Sequence, residues 1–258
     1  MTDAAPADGQ TAPAPLKPLF YQNPEVLEAT RHGSLGLKAH TSFGFAAKAN
    51  AIPLNMAEFA QAGVWYPIVF SGRDSLAPVA VVGVRGGQNL FVEDSGAWTS
   101  PAYVPAYVRR YPFILTRPDM AKDQVLLCVD RASDRVAEGE GNMFFEETKP
   151  SETTNSALEY CLNFQRQAMA TEQLTKLLQE HDLLVERQGT LELPGGTERL
   201  RLTDFKVVDE DRLNKLSDAA MLDLRKKGGL AAAYCQMMSM NNWQALAHMA
   251  GKRGKPLA

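Results

Sequence analysis

Between Thr154 and His181 the chain carries one long helical pattern with neither Gly nor Pro in it, and this stretch limits the fold more than any other. Ala157, Cys161, Phe164, Ala168, Thr171, Thr175 and Leu178 recur at spacings of four, three, four, three, four and three, which sets them on one helix face. Leu158, Leu162 and Met169 lie beside that face. At 1.5 Å of rise per residue such a helix is about 40 Å long, so it has to lie across a whole sheet or join two subdomains. A helix of this length can serve a homodimer as readily as a core.

Strand patterns come before it. YPIVFSG, PVAVVGV and QNLFVED, within residues 66–94, are short apolar, β-branched runs separated by turn residues. Gly86-Gly87 offers the positive φ angles of a tight turn, so two of these runs are expected to pair antiparallel. PAYVPAYVRRYPFILT then predicts a helical turn around Pro105 to Arg109 followed by an extended piece, and QVLLCVD reads as a buried strand. Upstream, NPEVLEATRHGSL suggests a short helix or turn opening near Asn23, and Leu37 to Ala47 holds an extended piece.

Beyond the long helix, Leu183 to Leu193 and Arg199 to Val208 flank Pro194-Gly195-Gly196 and alternate apolar with polar, the pattern of a hairpin with one wet face. Asp209 and Ser217 are placed to cap two further helices, and Gly228-Gly229 stops the second before LAAAYCQMMSMNNWQALAHM. The resulting class is α+β: antiparallel sheets built from hairpins, covered by one long helix and C-terminal helices. Residues 1–18, with four Pro and five Ala, read as a disordered tail. Residues 19–250 form a single globular domain, mainly strands over 19–148 and mainly helices with one hairpin over 149–250, and the basic tail 251–258 frays.

Charge and cysteine usage narrow the setting. A formal net charge of -3 over 258 residues gives no electrostatic reason to expect a nucleic acid, and no apolar run approaches the about 20 residues of a membrane-spanning helix. Asp3 and Asp8 stand where a secretory leader carries Lys or Arg, and Cys128, Cys161 and Cys235 form no C-x-x-C pair; a soluble, cytoplasmic protein with buried thiols is expected. The familiar chemical signatures are missing. Neither a GxGxxG nor a GxxxxGK[ST] loop occurs, nor HExxH, nor a GxSxG elbow, so no catalytic residue, metal ligand or cofactor is assigned.

One segment is chemically unusual. Trp98, Tyr103, Tyr107, Arg109, Arg110 and Tyr111 fall within fourteen residues and among Pro101, Pro105 and Pro112. Tyrosine and tryptophan give rigid contact area, and arginine gives a planar fork for carboxylate or phosphate, so these six are the candidate partner-binding residues for a peptide or protein. The bland alternative is that the tyrosines finish a core while the arginines satisfy carbonyls or pair with Glu93 and Asp94.

The blocks YPIVF, Gly87-Gln88-Asn89-Leu90-Phe91-Val92, YVPAYVRRYPF from Tyr103 to Phe113 and FKVVDEDRLNKL from Phe205 to Leu216 together resemble the SapC family of bacterial proteins, over about Leu19 to Met249. The resemblance implies a compact protein from a family named after a surface-layer locus, with no catalytic residue set to carry over. It does not imply the similarly named peptide-transport permease, which needs several apolar spans. Two readings follow. The first is a cytoplasmic accessory protein that binds a peptide or protein, with links to cell-surface or surface-layer systems. The second is an enzyme, metal-dependent in one version, whose site joins His32 or His40 to Asp130 or Glu93.

Overall fold

The structure, a computed structural model, describes residues 18–39, 42–72, 76–117, 124–196 and 198–253. In chain order it runs β1 (Pro24–Val26), α1 (Ala29–His32), β2 (Leu35–Leu37), β3 (Ala51–Pro53), α2 (Phe59–Ala62), β4 (Ile68–Ser71), β5 (Ala77–Val81), α3 (Ala106–Arg109), β6 (Phe113–Thr116) and β7 (Leu126–Asp130). Short strands β8 (Val136–Glu138), β9 (Asn142–Met143), β10 (Phe145–Glu146) and β11 (Lys149–Pro150) lead into the long helix α4 (Glu152–Glu180). The hairpin β12 (Leu184–Glu192) and β13 (Arg199–Val208) follows, and then α5 (Glu210–Asn214), α6 (Asp218–Lys226), α7 (Gly229–Ser239) and α8 (Asn242–Arg253). The α+β class expected from the sequence holds, with every strand pair antiparallel.

Two hydrophobic cores organise these elements. The larger is built on a five-stranded sheet in the order β12-β13-β4-β5-β3. Ile52, Ile68 and Phe70 from its strands meet Leu177 and Leu178 of α4, Leu224 of α6, Ala233 of α7 and Leu246 of α8. Burying each large aliphatic or aromatic side chain is worth about 1.5–3 kcal/mol, so this cluster supplies most of the driving force. Strands β13 and β4 share only the register pairs Phe205↔Ser71 and Lys206↔Phe70. Where their ladder stops, the buried Gln236 of α7 takes over, donating to the Ile68 carbonyl at 2.9 Å and accepting from the Val208 N–H at 3.0 Å. A buried amide that fills both ends of a gap in a sheet avoids the cost of orphaned backbone groups.

The smaller core gathers Leu35, Phe113, Leu127, Val129, Phe144, Phe145 and Cys161. It sits among two three-stranded sheets, β1-β7-β6 and β8-β2-β9, and the β10-β11 ribbon. Here α4 shows why its length matters: Cys161 near its start belongs to the small core and Leu177 and Leu178 near its end to the large one. The helix therefore packs on both cores along its length. Ser151 caps it, its Oγ accepting from the Thr154 N–H at 3.3 Å, so the helix begins two residues before the periodic stretch. Among the described residues no helix is long and apolar enough to cross a membrane.

Several expectations are corrected. QNLFVED is not a strand: Gly87 does take a positive φ of 73°, yet the Asn89 side chain donates to Ala46 O and accepts from the Phe91 N–H, turning the chain away from the ladder. A single bridge, Val92 to Trp98, is all that remains there. Pro24–Val26 is a strand and not a helix opening, because its edge is taken up by β7; the helical turn comes later, as α1. The extended piece expected within Leu37 to Ala47 ends at Leu37, and a 3-10 turn occupies Gly44–Ala46. On α4, Leu162 and Met169 are exposed, as the packed face is narrower than the apolar one. Cys128 and Cys161 are buried but Cys235 only partly, and all three are free thiols.

Candidate ligand-binding cleft

The Tyr/Arg segment is held from behind by a buried acid. Glu58, next to α2, accepts from the Ala106 N–H at 2.7 Å and from the Tyr103 hydroxyl at 2.9 Å, which pins the first turn of α3. Arg109 then leans on that tyrosine, donating from Nη2 to its hydroxyl at 3.0 Å and from Nε to the Val104 carbonyl at 3.0 Å. Its guanidinium lies 5.6 Å from the Tyr103 ring centre and 5.7 Å from that of Tyr160 on α4. Arg110 packs more deeply, 4.4 Å from the Phe164 ring centre, 4.6 Å from Tyr107 and 5.7 Å from Tyr21. Each such contact contributes about 0.5–2 kcal/mol, growing as the cation is desolvated, and none of it neutralises the charge.

A second buried acid fixes the other side. Asp130, at the end of β7, is fully buried and accepts the backbone N–H groups of Gln22, Asn23 and Ala132 at 2.9, 2.8 and 3.1 Å, and the Tyr111 hydroxyl at 3.3 Å. Its lone pairs go to loops and a phenol. The Tyr111 carbonyl in turn accepts from Arg135 Nη1 at 3.0 Å, which brings in an arginine from the turn before β8.

Between α3, β6, the β2–β9 edge and the first turns of α4 these residues enclose a cleft of about 520 Å³. Arg109, Arg110 and Arg135 stand in its wall with Tyr111 and Tyr160, the exposed Glu152 lies at its rim, and Leu37, Phe113, Ala157 and Cys161 line its floor. None of the three arginines has a carboxylate within 4 Å among the described residues. The Nε atoms of Arg110 and Arg135 are buried and lack a hydrogen-bond partner there. An N–H left in that state carries a desolvation cost of about 1–3 kcal/mol, which a bound acceptor would remove.

Protonation makes this wall a set of donors. Burial pushes the Tyr111 phenol up to about 12 and the Cys161 thiol up to about 11, and raises Tyr160 as well. At neutral pH the cleft thus holds a thiol and phenols and offers neither a thiolate nor a phenolate. Burial also draws Arg135 below the ordinary guanidinium value, the mark of a cation kept partly from water.

The six side chains singled out in the sequence do not form one open face. Arg109, Arg110 and Tyr111 reach the cleft wall. Tyr103 and Tyr107 stand behind the arginines as supports, Tyr107 itself buried. Trp98 is core: its Nε1 donates to the Tyr66 hydroxyl at 3.1 Å and its ring packs on Phe43 and Phe91. Arg109 satisfies a carbonyl, as the bland alternative had it, whereas Asp94 pairs with Arg253 of α8. Arg135 and Tyr160 were not singled out; only strand pairing and the path of α4 bring them in.

Among the described residues, the His32 version of the dispersed His–carboxylate site is not assembled. His32 is buried, its Nδ1 accepting from the Glu28 N–H at 3.0 Å and its Nε2 lying 3.4 Å from Glu25, while Asp130 is occupied as described. That bond holds the Glu25 carboxyl below its usual value. His40 lies outside the described residues. Among the described residues no group of three or more His, Cys, Asp or Glu is placed to hold a metal ion. No curated protein and no solved structure matches the chain. A family model described as SapC matches residues 27–246, most of the chain, so the protein whose central segment builds this cleft belongs to the SapC family.

Proposed function

We propose that this SapC protein is a binding protein of the cytoplasm, an accessory factor that grips an acidic segment of a peptide or protein in the arginine-lined cleft. One observation carries the reading: three guanidiniums line a single cleft, each oriented by neutral oxygens or rings and, among the described residues, none with a carboxylate within 4 Å. Holding the donors in place beforehand lowers the ordering cost that binding has to meet. The charges also speed encounter with an acidic partner, an effect that salt weakens. A tie to cell-surface or surface-layer systems is suggested by the family name alone.

The test is an array of short acidic peptides beside charge-neutral versions of equal length, probed with the full chain and with Arg109→Glu, a change at an exposed position. The acidic set should retain the chain at low salt, with retention dropping at least tenfold at high salt and in the variant. Equal retention on neutral peptides, or no effect of Arg109→Glu, would reject the reading.

A further inference from the structure

We infer that the group seated in the cleft is a phosphoryl dianion on an apolar stem, such as a phosphorylated side chain of the partner, and not a single carboxylate. This rests on the reading above and narrows it. Charge is the first ground. Among the lining residues three arginines stand with the one carboxylate of Glu152, while Glu58, Asp130 and Asp134 act from behind the wall. A carboxylate brings one negative charge to these arginines, whereas a phosphate monoester carries about -1.5 to -2 near neutral pH and offers three strong acceptor oxygens.

Donor geometry is the second. Tyr107 and Phe164 lie against the Arg110 guanidinium, which also meets the Tyr21 and Tyr107 hydroxyls and stands in the cleft wall beside them. Arg135 is fixed through Nη1 to the Tyr111 carbonyl, with Nε buried and unpartnered. A guanidinium reached along its edge grips two oxygens at once. Three guanidiniums, two from α3 and its end and one from the turn before β8, suit a tetrahedral group with oxygens on several sides better than a planar one.

The floor is the third. Leu37, Phe113 and Ala157, with the faces of Tyr111 and Tyr160, give a partly apolar lining that free inorganic phosphate would leave unused. A cleft of about 520 Å³ is larger than one phosphoryl group needs, and within the range that takes a small ligand or one side chain with its neighbours.

Calorimetric titration of the full chain with phenyl phosphate, inorganic phosphate, benzoate and a phosphotyrosyl pentapeptide tests this. Phenyl phosphate should bind at least tenfold more tightly than inorganic phosphate or benzoate. Its affinity should weaken about tenfold from pH 7.5 to pH 5.0, as the dianion with a second pKa near 6 takes up a proton. Arg135→Gln should lower it at least tenfold; since Arg135 also supports Tyr111, the exposed Arg109→Gln is the companion variant, expected to lose about fivefold with an unchanged melting temperature. Benzoate binding as tightly as phenyl phosphate, inorganic phosphate doing so, or no saturation by about 10 mM phenyl phosphate would each overturn the inference while leaving the unmodified acidic peptides to judge the earlier reading. The pentapeptide should bind at least as well as phenyl phosphate. A tenfold weaker pentapeptide would overturn the assignment to a partner's side chain.

Discussion

Several arginines outside the cleft are paired with carboxylates, and the three inside it are held by different chemistry. Arg31 meets Glu25 at 2.7 Å, Arg85 meets Glu198 at 2.7 Å, Arg187 meets Asp209 at 3.1 Å, Arg253 meets Asp94 at 3.3 Å, and Arg212 pairs with Asp182. Arg109, Arg110 and Arg135 are positioned by carbonyl oxygens, a hydroxyl and aromatic faces. A carboxylate that orients an arginine also spends its charge, and exposed pairs of that kind contribute only about 0–1 kcal/mol. Neutral acceptors and rings orient the cation and leave its charge for something else. The buried acids beside the cleft follow the same division, since Glu58 and Asp130 hold backbone N–H groups and tyrosine hydroxyls in place of the nearby guanidiniums.

The sharpest way to break this contrast is to remove the frame. Asp130→Ala strands three backbone N–H groups and the Tyr111 hydroxyl in a buried site, and should cost about 3–5 kcal/mol in urea denaturation. Asp130→Asn keeps one acceptor oxygen and should cost about half as much; a loss below about 1 kcal/mol for the alanine variant would mean that the loops stand without it. Next comes Gly36→Ala, in the centre of β8-β2-β9. An added Cβ would lie 2.3 Å from the Glu140 carbonyl oxygen and 3.1 Å from that of Asn142, so backbone has to move where Leu37 and Asn142 line the cleft. We expect about 2–3 kcal/mol of lost stability and a matching loss of phenyl phosphate binding.

The two classes of arginine are then set against each other directly. Arg135→Gln should lower phenyl phosphate affinity at least tenfold, whereas Arg187→Gln, which breaks an exposed pair with Asp209, should change it less than twofold and cost under about 1 kcal/mol of stability. Equal effects would erase the distinction. The smallest effect concerns alkaline pH. Burial raises Tyr103 and Tyr111 from 10.0 to about 12, so the folded state keeps protons that the unfolded chain releases above pH 10. Their contribution is intact below pH 10 and is lost as the pH climbs toward 12, and Tyr111→Phe should flatten that fall in melting temperature.

How much of this was legible beforehand depended on whether the signal was local. The face of α4, the Pro194-Gly195-Gly196 hairpin and the caps Asp209 and Ser217 are each written within a few residues, and each forms where its residues dictate. QNLFVED misled because one side chain, Asn89, outcompeted the ladder through contacts with Ala46, over forty positions earlier. Within the candidate site the Arg109–Arg110–Tyr111 cluster was visible as composition. Trp98, an equally conspicuous residue, is instead held in the core by Tyr66, a partner 32 positions away. Arg135 had no local mark at all, for it owes its place to β7 turning into β8 and to the Tyr111 carbonyl.

The most direct measurement is the side-chain Nε–H spectrum of 15N-arginine-labelled protein during titration with phenyl phosphate. The account predicts that the Nε–H signals of Arg110 and Arg135 move in a saturable way and gain protection from exchange while those of Arg187 and Arg212 stay in place. Signals of the carboxylate-paired arginines moving alongside them, or no movement of Arg110 and Arg135 at saturation, would contradict it.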